Sequence, residues 1–370
     1  QLRLDEDLRR TVQAVTAGAP DVATKVERLF AWVVEHTRYV ALEFGIHGYK
    51  PYHVTQVARR GFGDCKDKAS LLYAMLQEAG IEAEIVLVRT RRGGQMASVP
   101  ASPAVFDHAI AYVPQLKRYL DATVEHSGSL DLPPDDQGVM VLHVGPHGAR
   151  LAQTPLAPAA QSTERLDLQL TLRPDAALQV QGDLHVSGWP ASQYRGRLLV
   201  EGKRQTALQA LLQGRFPGLR LQALSRTQLM PRDKAVALRF QATVPAAGPA
   251  DGRSLTLTSL GQVLLGTAAT STRRHALDLG FRRCWQEHRR FTVTGWRVAQ
   301  LPKAVTLDSP FGRFILQAER TQSGVTLHSE LVLRVAQVPA SRYAAYRRWV
   351  QRIAAAARPR LRLTRTEAKR

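Results

Sequence analysis

The sequence predicts an α+β protein of more than one domain, in which a mixed helical and stranded region leads into an antiparallel, β-sandwich-like remainder. Three observations predict it. Apolar residues recur at helical spacing through the first part of the chain. From Gln161 onward they alternate with polar ones, the period of half-buried strands. A chain of 370 residues also exceeds what one ordinary core holds.

Taken in order, residues 1–38 read as helical. Asp21 can cap a helix whose apolar face is Val22, Val26, Leu29, Phe30 and Val33. Residues 39–63 read as loop, punctuated by Gly45, Gly48, Pro51, Gly61 and Gly63. Residues 64–79 carry the clearest helical pattern, with Ala69, Leu72, Tyr73 and Leu76 as one stripe and Gly80 as the stop. Ala83 to Val88 reads as a buried strand, and two further strands are expected around His108 and Asp121. The Pro- and Ala-rich stretch from Thr154 to Ala160 reads as a linker. The expected division is residues 1–153, a β-rich domain over 161–268 with one helix near Tyr194–Leu212, a second β-rich section over 271–357 that ends in a helix, and a basic tail over 358–370. Ser341 is the expected cap of that last helix, with Tyr343, Tyr346, Val350 and Ile353 on one side.

The formal net charge is +20. The first 135 residues are near balance, and the excess, mostly Arg, lies in the remainder. Such a surface suits an anionic surface or cell-envelope polymer. No helix-turn-helix, zinc-finger or aromatic RNA-binding signature accompanies it, which argues against nucleic acid. No run of about 18 apolar residues occurs, so no transmembrane segment is expected. The chain opens Gln1-Leu2-Arg3-Leu4-Asp5, which is not a signal peptide, so a native address would lie on another segment. Two cysteines, Cys65 and Cys284, make no disulfide framework.

The most informative stretch is Gly61-Phe62-Gly63-Asp64-Cys65-Lys66-Asp67-Lys68-Ala69. A glycine-marked turn delivers Cys65 to the first turn of a helix. The thiolate is the nucleophilic form of cysteine. A helix N-terminus favours it by only about 0.3–1 kcal/mol, and Asp64 and Asp67 oppose it. Activation therefore needs an imidazole, and His108 in Phe106-Asp107-His108-Ala109-Ile110 is the candidate. Asp121 in Leu120-Asp121-Ala122-Thr123 follows after a turn near Pro114–Lys117, so two antiparallel strands would set it beside His108 and let it fix the tautomer. Asp64 suits the N-cap and Asp67 the first turn, so both would position the sulfur. An oxyanion would be met by the Cys65 backbone amide and by a second donor from the preceding loop, where His47, Tyr49 and Tyr52 are the candidates.

These three motifs, in this order and spacing, resemble the bacterial transglutaminase-like superfamily, in particular the branch described as cysteine proteases. The likeness covers roughly residues 20–145, and residues 160–355 are similar in pattern to that branch's β-rich C-terminal region. The resemblance implies a papain-like transglutaminase core with nucleophile Cys65, base Cys65's partner His108 and orienting acid Asp121. It implies a protein or peptide substrate, no cofactor, and a cell-envelope, periplasmic or secreted setting. Long members of the branch carry an N-terminal β-domain of unknown function that has no counterpart here. The expected activity is thiol-dependent acyl transfer on carboxamides or peptide bonds, as protease, amidase or transglutaminase. The alternative is an inactive scaffold whose basic β-domains bind an anionic partner. A zinc site at Cys65, His108 and Asp121 lacks a fourth ligand and paired Cys spacing, so no metal is expected. Cys284, beside Trp285, reads as a small buried apolar residue.

Overall fold

The structure is a computed structural model and describes residues 1–94, 102–145, 148–245, 254–256, 260–358 and 360–365. The chain divides into two compact units. The first comprises Gln1–Ala157 with Met230–Lys234, the second Pro158–Leu229 with Ala235–Arg370.

Unit 1 opens with helices α1 (Glu6–Thr16) and α2 (Val22–His36). Asp5 and Asp21 accept hydrogen bonds from the amides of Leu8 and Thr24 and so cap the two helices. A two-residue strand β1 (Arg38–Tyr39), a short helix α3 (Val54–Arg60) and strand β2 (Phe62–Gly63) lead to α4 (Cys65–Glu78). Strands β3 (Glu84–Val88), β4 (His108–Val113), β5 (Arg118–Leu120), β6 (Met140–Gly145) and β7 (Gly148–Gln153) form an antiparallel sheet in the order β5-β4-β3-β6-β7.

Helix α4 is central. Leu71, Leu72, Met75 and Leu76 are fully buried with Val26, Leu29, Phe30 and Val33 of α2 and Ala111 and Val113 of β4. Each large apolar side chain taken out of water this way contributes about 1.5–3 kcal/mol, so the helix that carries Cys65 at its start is anchored along its length. It ends where Gly80 takes a left-handed conformation (φ +72°) and the Ile81 amide donates to Leu76 O. Helix α3 was not expected within the loop-like 39–63 stretch. It has only seven residues, too few for a periodic signal, and it is held by burial of Val54 and Val57.

Unit 2 is built on an eight-stranded sheet. Its strands are β8 (Thr163–Leu172), β9 (Leu178–Val186), β10 (Arg220–Gln228), β11 (Val236–Val244), β14 (Arg283–Val293), β16 (Val305–Ser309), β17 (Gly312–Thr321) and β18 (Gly324–Leu333), in the order β10-β11-β9-β8-β14-β18-β17-β16. Every pairing is antiparallel except β8 with β14, which is parallel. Strands from both sides of the expected boundary at 268–271 share this sheet and one core. The expected helix near 194–212 is two helices, α5 (Trp189–Leu198) and α6 (Glu201–Gln213). Short strands β13 (Leu277–Asp278) and β19 (Gln337–Val338) pair, while β12 (Ser254–Thr256), β15 (Trp296–Gln300) and β20 (Arg360–Arg365) make a three-stranded sheet. Helix α7 (Tyr343–Ala356) buries Tyr343, Tyr346, Trp349, Val350 and Ile353 in the unit's core; its N-cap is Arg342, and Ser341 lies in the preceding 3-10 turn. The expected basic tail is in part strand β20, whose Leu361 and Leu363 are buried; residues 359 and 366–370 lie outside the described residues.

Gly182 on β9 sits opposite Phe240 on β11, and a Cβ there would lie 2.3 Å from the Phe240 ring. Gly182→Ala is therefore expected to destabilise unit 2 by about 1–3 kcal/mol, through overpacking, in urea unfolding.

Candidate active site

Cys65 is the first residue of α4 and its thiol is free. The start of the helix is fixed by a reciprocal cap: the Asp67 amide donates to Asp64 Oδ1 (3.2 Å) and the Asp64 amide donates to Asp67 Oδ2 (3.3 Å). Asp67 is 1% exposed and does more. It accepts the Tyr52 amide at Oδ1 (2.8 Å) and the Arg60 guanidinium at Oδ2 (2.7 Å). Arg60 also donates to Phe62 O (2.7 Å) and lies over the rings of Tyr52 and Phe62. The loop before Cys65, the end of α3 and the first turn of α4 thus share one buried carboxylate. Gly63 permits this closeness, since a Cβ there would stand 2.7 Å from Asp67 Cβ.

His108 begins β4, and Asp121 follows directly after β5, the strand paired with β4. His108 Nε2 lies 3.2 Å from Asp121 Oδ2. A hydrogen bond with the Cys65 thiol also favours the protonated form of this imidazole. Burial disfavours the imidazolium, yet the Asp121 charge and the hydrogen bonds to Asp121 and Cys65 outweigh it and hold the His108 pKa well above the usual histidine range. Asp121 is buried, which by itself would raise its pKa. The His108 charge and two hydrogen bonds from Thr123, at the amide (2.9 Å) and Oγ1 (2.7 Å), overcome that and keep it low.

The oxyanion candidates fare differently. His47 stacks on Tyr52 (ring centroids 3.6 Å apart), and its Nδ1 lies 3.0 Å from Lys50 O. The Tyr52 amide is committed to Asp67, leaving its hydroxyl. Tyr49 is exposed. The Cys65 amide, at the open helix end, donates to no described residue.

Four residues not singled out by sequence also shape the site: Arg60, Tyr39, Lys68 and Asp136. Tyr39 pairs with Gly63 in the β1–β2 ladder. Burial, then the Cys65 charge, push its hydroxyl up to about 12, so it is a neutral donor at physiological pH. Lys68, one turn after Cys65, is fully buried, and its ammonium donates to Thr37 O. Burial pulls it down to about 8, against the favourable charges of Glu125 and Asp121. Asp136, 2% exposed, places Oδ2 3.9 Å from His108 Nε2. Burial and then the Asp121 charge push its carboxyl up to about 8. Among the described residues, His108, Asp121 and Asp136 are the one set of three such groups whose polar atoms all fall within 4.8 Å.

With this geometry in place, the comparisons with known proteins are informative. Residues 9–115 match the family model of the transglutaminase-like superfamily, and residues 259–363 match that of a domain of unknown function with a solved structure, DUF3858. The first match takes in Cys65 and His108 and ends before Asp121. A putative protease from Parabacteroides distasonis ATCC 8503 is similar in structure, with a TM-score of 0.58 at 14% identity, over 96% of this chain and 55% of that one. The chain thus spans little more than half of that relative's length. A putative cysteine protease from Cytophaga hutchinsonii is similar over 32% of this chain and 37% of its own at 18% identity, with a TM-score of 0.25 that carries no weight for the fold. No curated protein matches the sequence. The chain therefore carries a transglutaminase-like α+β core followed by a sheet-rich C-terminal region.

Removing the Asp64 side chain (Asp64→Ala) deletes one cap and the ion pair with Lys66, and is expected to cost about 1–2 kcal/mol. Asp67→Ala strands Arg60 and the Tyr52 amide as well, and is expected to cost about 3 kcal/mol. Denaturant unfolding of the two variants ranks them; equal losses would contradict the central role given to Asp67.

Proposed function

We propose that the protein is a cysteine acyl-transfer enzyme acting on carboxamide or peptide bonds of proteins or peptides, with Cys65 as nucleophile, His108 as general base and acid, and Asp121 as the residue that orients it. The observation that supports this reading is His108 Nε2 lying 3.2 Å from Asp121 Oδ2, with a hydrogen bond to the Cys65 thiol also raising the pKa of the same imidazole. The raised pKa of His108 supports an imidazolium at neutral pH, the form that can give a proton to a departing amine.

In the reaction so read, the thiolate attacks the substrate carbonyl and the C–S bond forms. The oxyanion is met by the Cys65 amide at the helix start, with the Tyr39 or Tyr52 hydroxyl as candidates for the second donor. The C–N bond then breaks, and the proton on His108 goes to the departing amine. The acyl-thioester that remains is released by water, giving hydrolysis, or by an amine, giving transfer; His108 takes the proton of the incoming nucleophile in either case. Asp64 and Asp67 act by holding the helix start, not by touching substrate.

Two measurements test this. At neutral pH iodoacetamide is expected to label Cys65 and not Cys284, which is buried and whose thiol burial pushes up to about 11. His108→Ala should slow labelling of Cys65, and unchanged labelling would refute the activation. Mass spectrometry of candidate protein substrates with the enzyme and a primary amine should show cleavage, deamidation or amine incorporation, each lost in Cys65→Ala. A product that persists in that variant would refute the assignment of the nucleophile.

A further inference from the structure

The buried carboxyl of Asp136 has no role in the reaction as written, yet it lies against its centre. Its Oδ2 is enclosed and accepts no hydrogen bond from any described residue. It stands 3.9 Å from His108 Nε2, the nitrogen that faces Asp121. The turn that delivers it is firmly held. Asp136 ends a 3-10 turn (Pro134–Asp136). Its carbonyl accepts from Thr154 Oγ1, and the neighbouring Gln137 carbonyl accepts from Arg91 (2.9 Å) while its side chain donates to Leu132 O (2.7 Å).

Two carboxylates and one imidazolium in a largely buried site leave a net negative charge if both acids ionise. Asp121 is the one equipped to ionise, since it accepts from Thr123 twice and from His108. Among the described residues, Asp136 Oδ2 has no such donor. We propose that Asp136 is a positioning residue of this site: it keeps its proton and donates it from Oδ2 to the Asp121 carboxylate, locking Asp121 against His108. The inference rests on the Cys65–His108–Asp121 reading and extends it.

The groups facing Asp136 agree. Asp121, from the end of β5, lies within 4.8 Å of it and its charge raises its pKa; His108, from β4, lowers it; Asp135, on its own turn, raises it further. Arg92 pairs with Asp135, not with Asp136 (2.5 Å). The acid therefore stays protonated at neutral pH and loses its proton as pH rises through about 8. Above that point a second negative charge sits beside the imidazolium and the donor to Asp121 is gone.

The test needs no substrate. In protein labelled with 15N-histidine, the His108 ring signals should show an inflection near pH 8, as Asp136 ionises, that is absent in Asp136→Asn, whose amide donates without titrating. At neutral pH, Asp136→Ala should slow iodoacetamide labelling of Cys65 about fivefold, the loss of one buried hydrogen bond, and Asp136→Asn should restore most of it. An unchanged inflection in Asp136→Asn, or equal labelling rates in Asp136→Ala and wild type, overturns the proposal. Equal slowing in Asp136→Ala and Asp136→Asn, with the inflection retained, assigns Asp136 a purely structural role and overturns it too. His108→Ala separates the two levels: if it leaves labelling unchanged, the thiol site itself fails; if it slows labelling and the Asp136 variants do not, only this inference fails.

Discussion

A charge balance among largely buried groups governs the candidate site. One imidazole, one thiol and two carboxyl groups lie together, and their burial makes any uncompensated charge expensive. The arrangement is tolerable only if the groups neutralise one another. In the reading proposed above, the His108 imidazolium is matched by the Asp121 carboxylate, and a proton retained on Asp136 keeps a second negative charge away from that pair. The same burial that penalises each charge strengthens their mutual attraction, so the ion pair and its orientation arise from one cause.

That balance is useful only if the sulfur is held where the imidazole can reach it. The fold meets this demand with a second buried carboxylate, Asp67, which ties the Tyr52 amide, Arg60 and the Asp64 amide to the first turn of α4. The rest of α4 is locked by the packing of Leu71, Leu72, Met75 and Leu76. The β4–β5 pairing does the same for His108 and Asp121 from the other side. The proposed site therefore depends on two rigid elements of unit 1 and on little else. Lys68 adds a further buried cation near Asp121, held by Thr37 O.

Much of this is legible in sequence because local chemistry writes it there. Asp64, Cys65 and Asp67 follow from capping rules and helical periodicity, and His108 and Asp121 from alternation around a turn. Asp136 is not legible, because Pro133-Pro134-Asp135-Asp136-Gln137 reads as an ordinary solvated turn; only tertiary packing buries one of its two acids and leaves the other beside Arg92. Arg60 and Tyr39 escape for the same reason, since their partners lie in other segments. The eight-stranded sheet of unit 2 depends on the parallel β8–β14 pairing, a long-range choice that no local pattern encodes. Strand β20 is a different case. Its alternation Arg360-Leu361-Arg362-Leu363 is a strand signal, masked by the expectation that a basic terminus stays in solvent.

The Arg surplus shows why net charge is a weak guide to a partner. On the strands of unit 2 the large apolar residues turn inward, as with Leu166, Leu168 and Leu170 on β8, and Arg165, Asp167 and Gln169 fall on the opposite face. Several of the arginines face a carboxylate at once: Arg165 with Asp167, Arg239 with Asp183, Arg334 with Asp308, and the more buried Arg215 with Glu164 and Arg289 with Glu287. A guanidinium already paired offers an incoming anion less than its formal charge implies, because the anion must compete with the resident carboxylate. The sum of charges therefore overstates the attraction available at any one place on the sheet. The buried groups around Cys65, where few charges sit close together in low dielectric, carry the more specific chemical information.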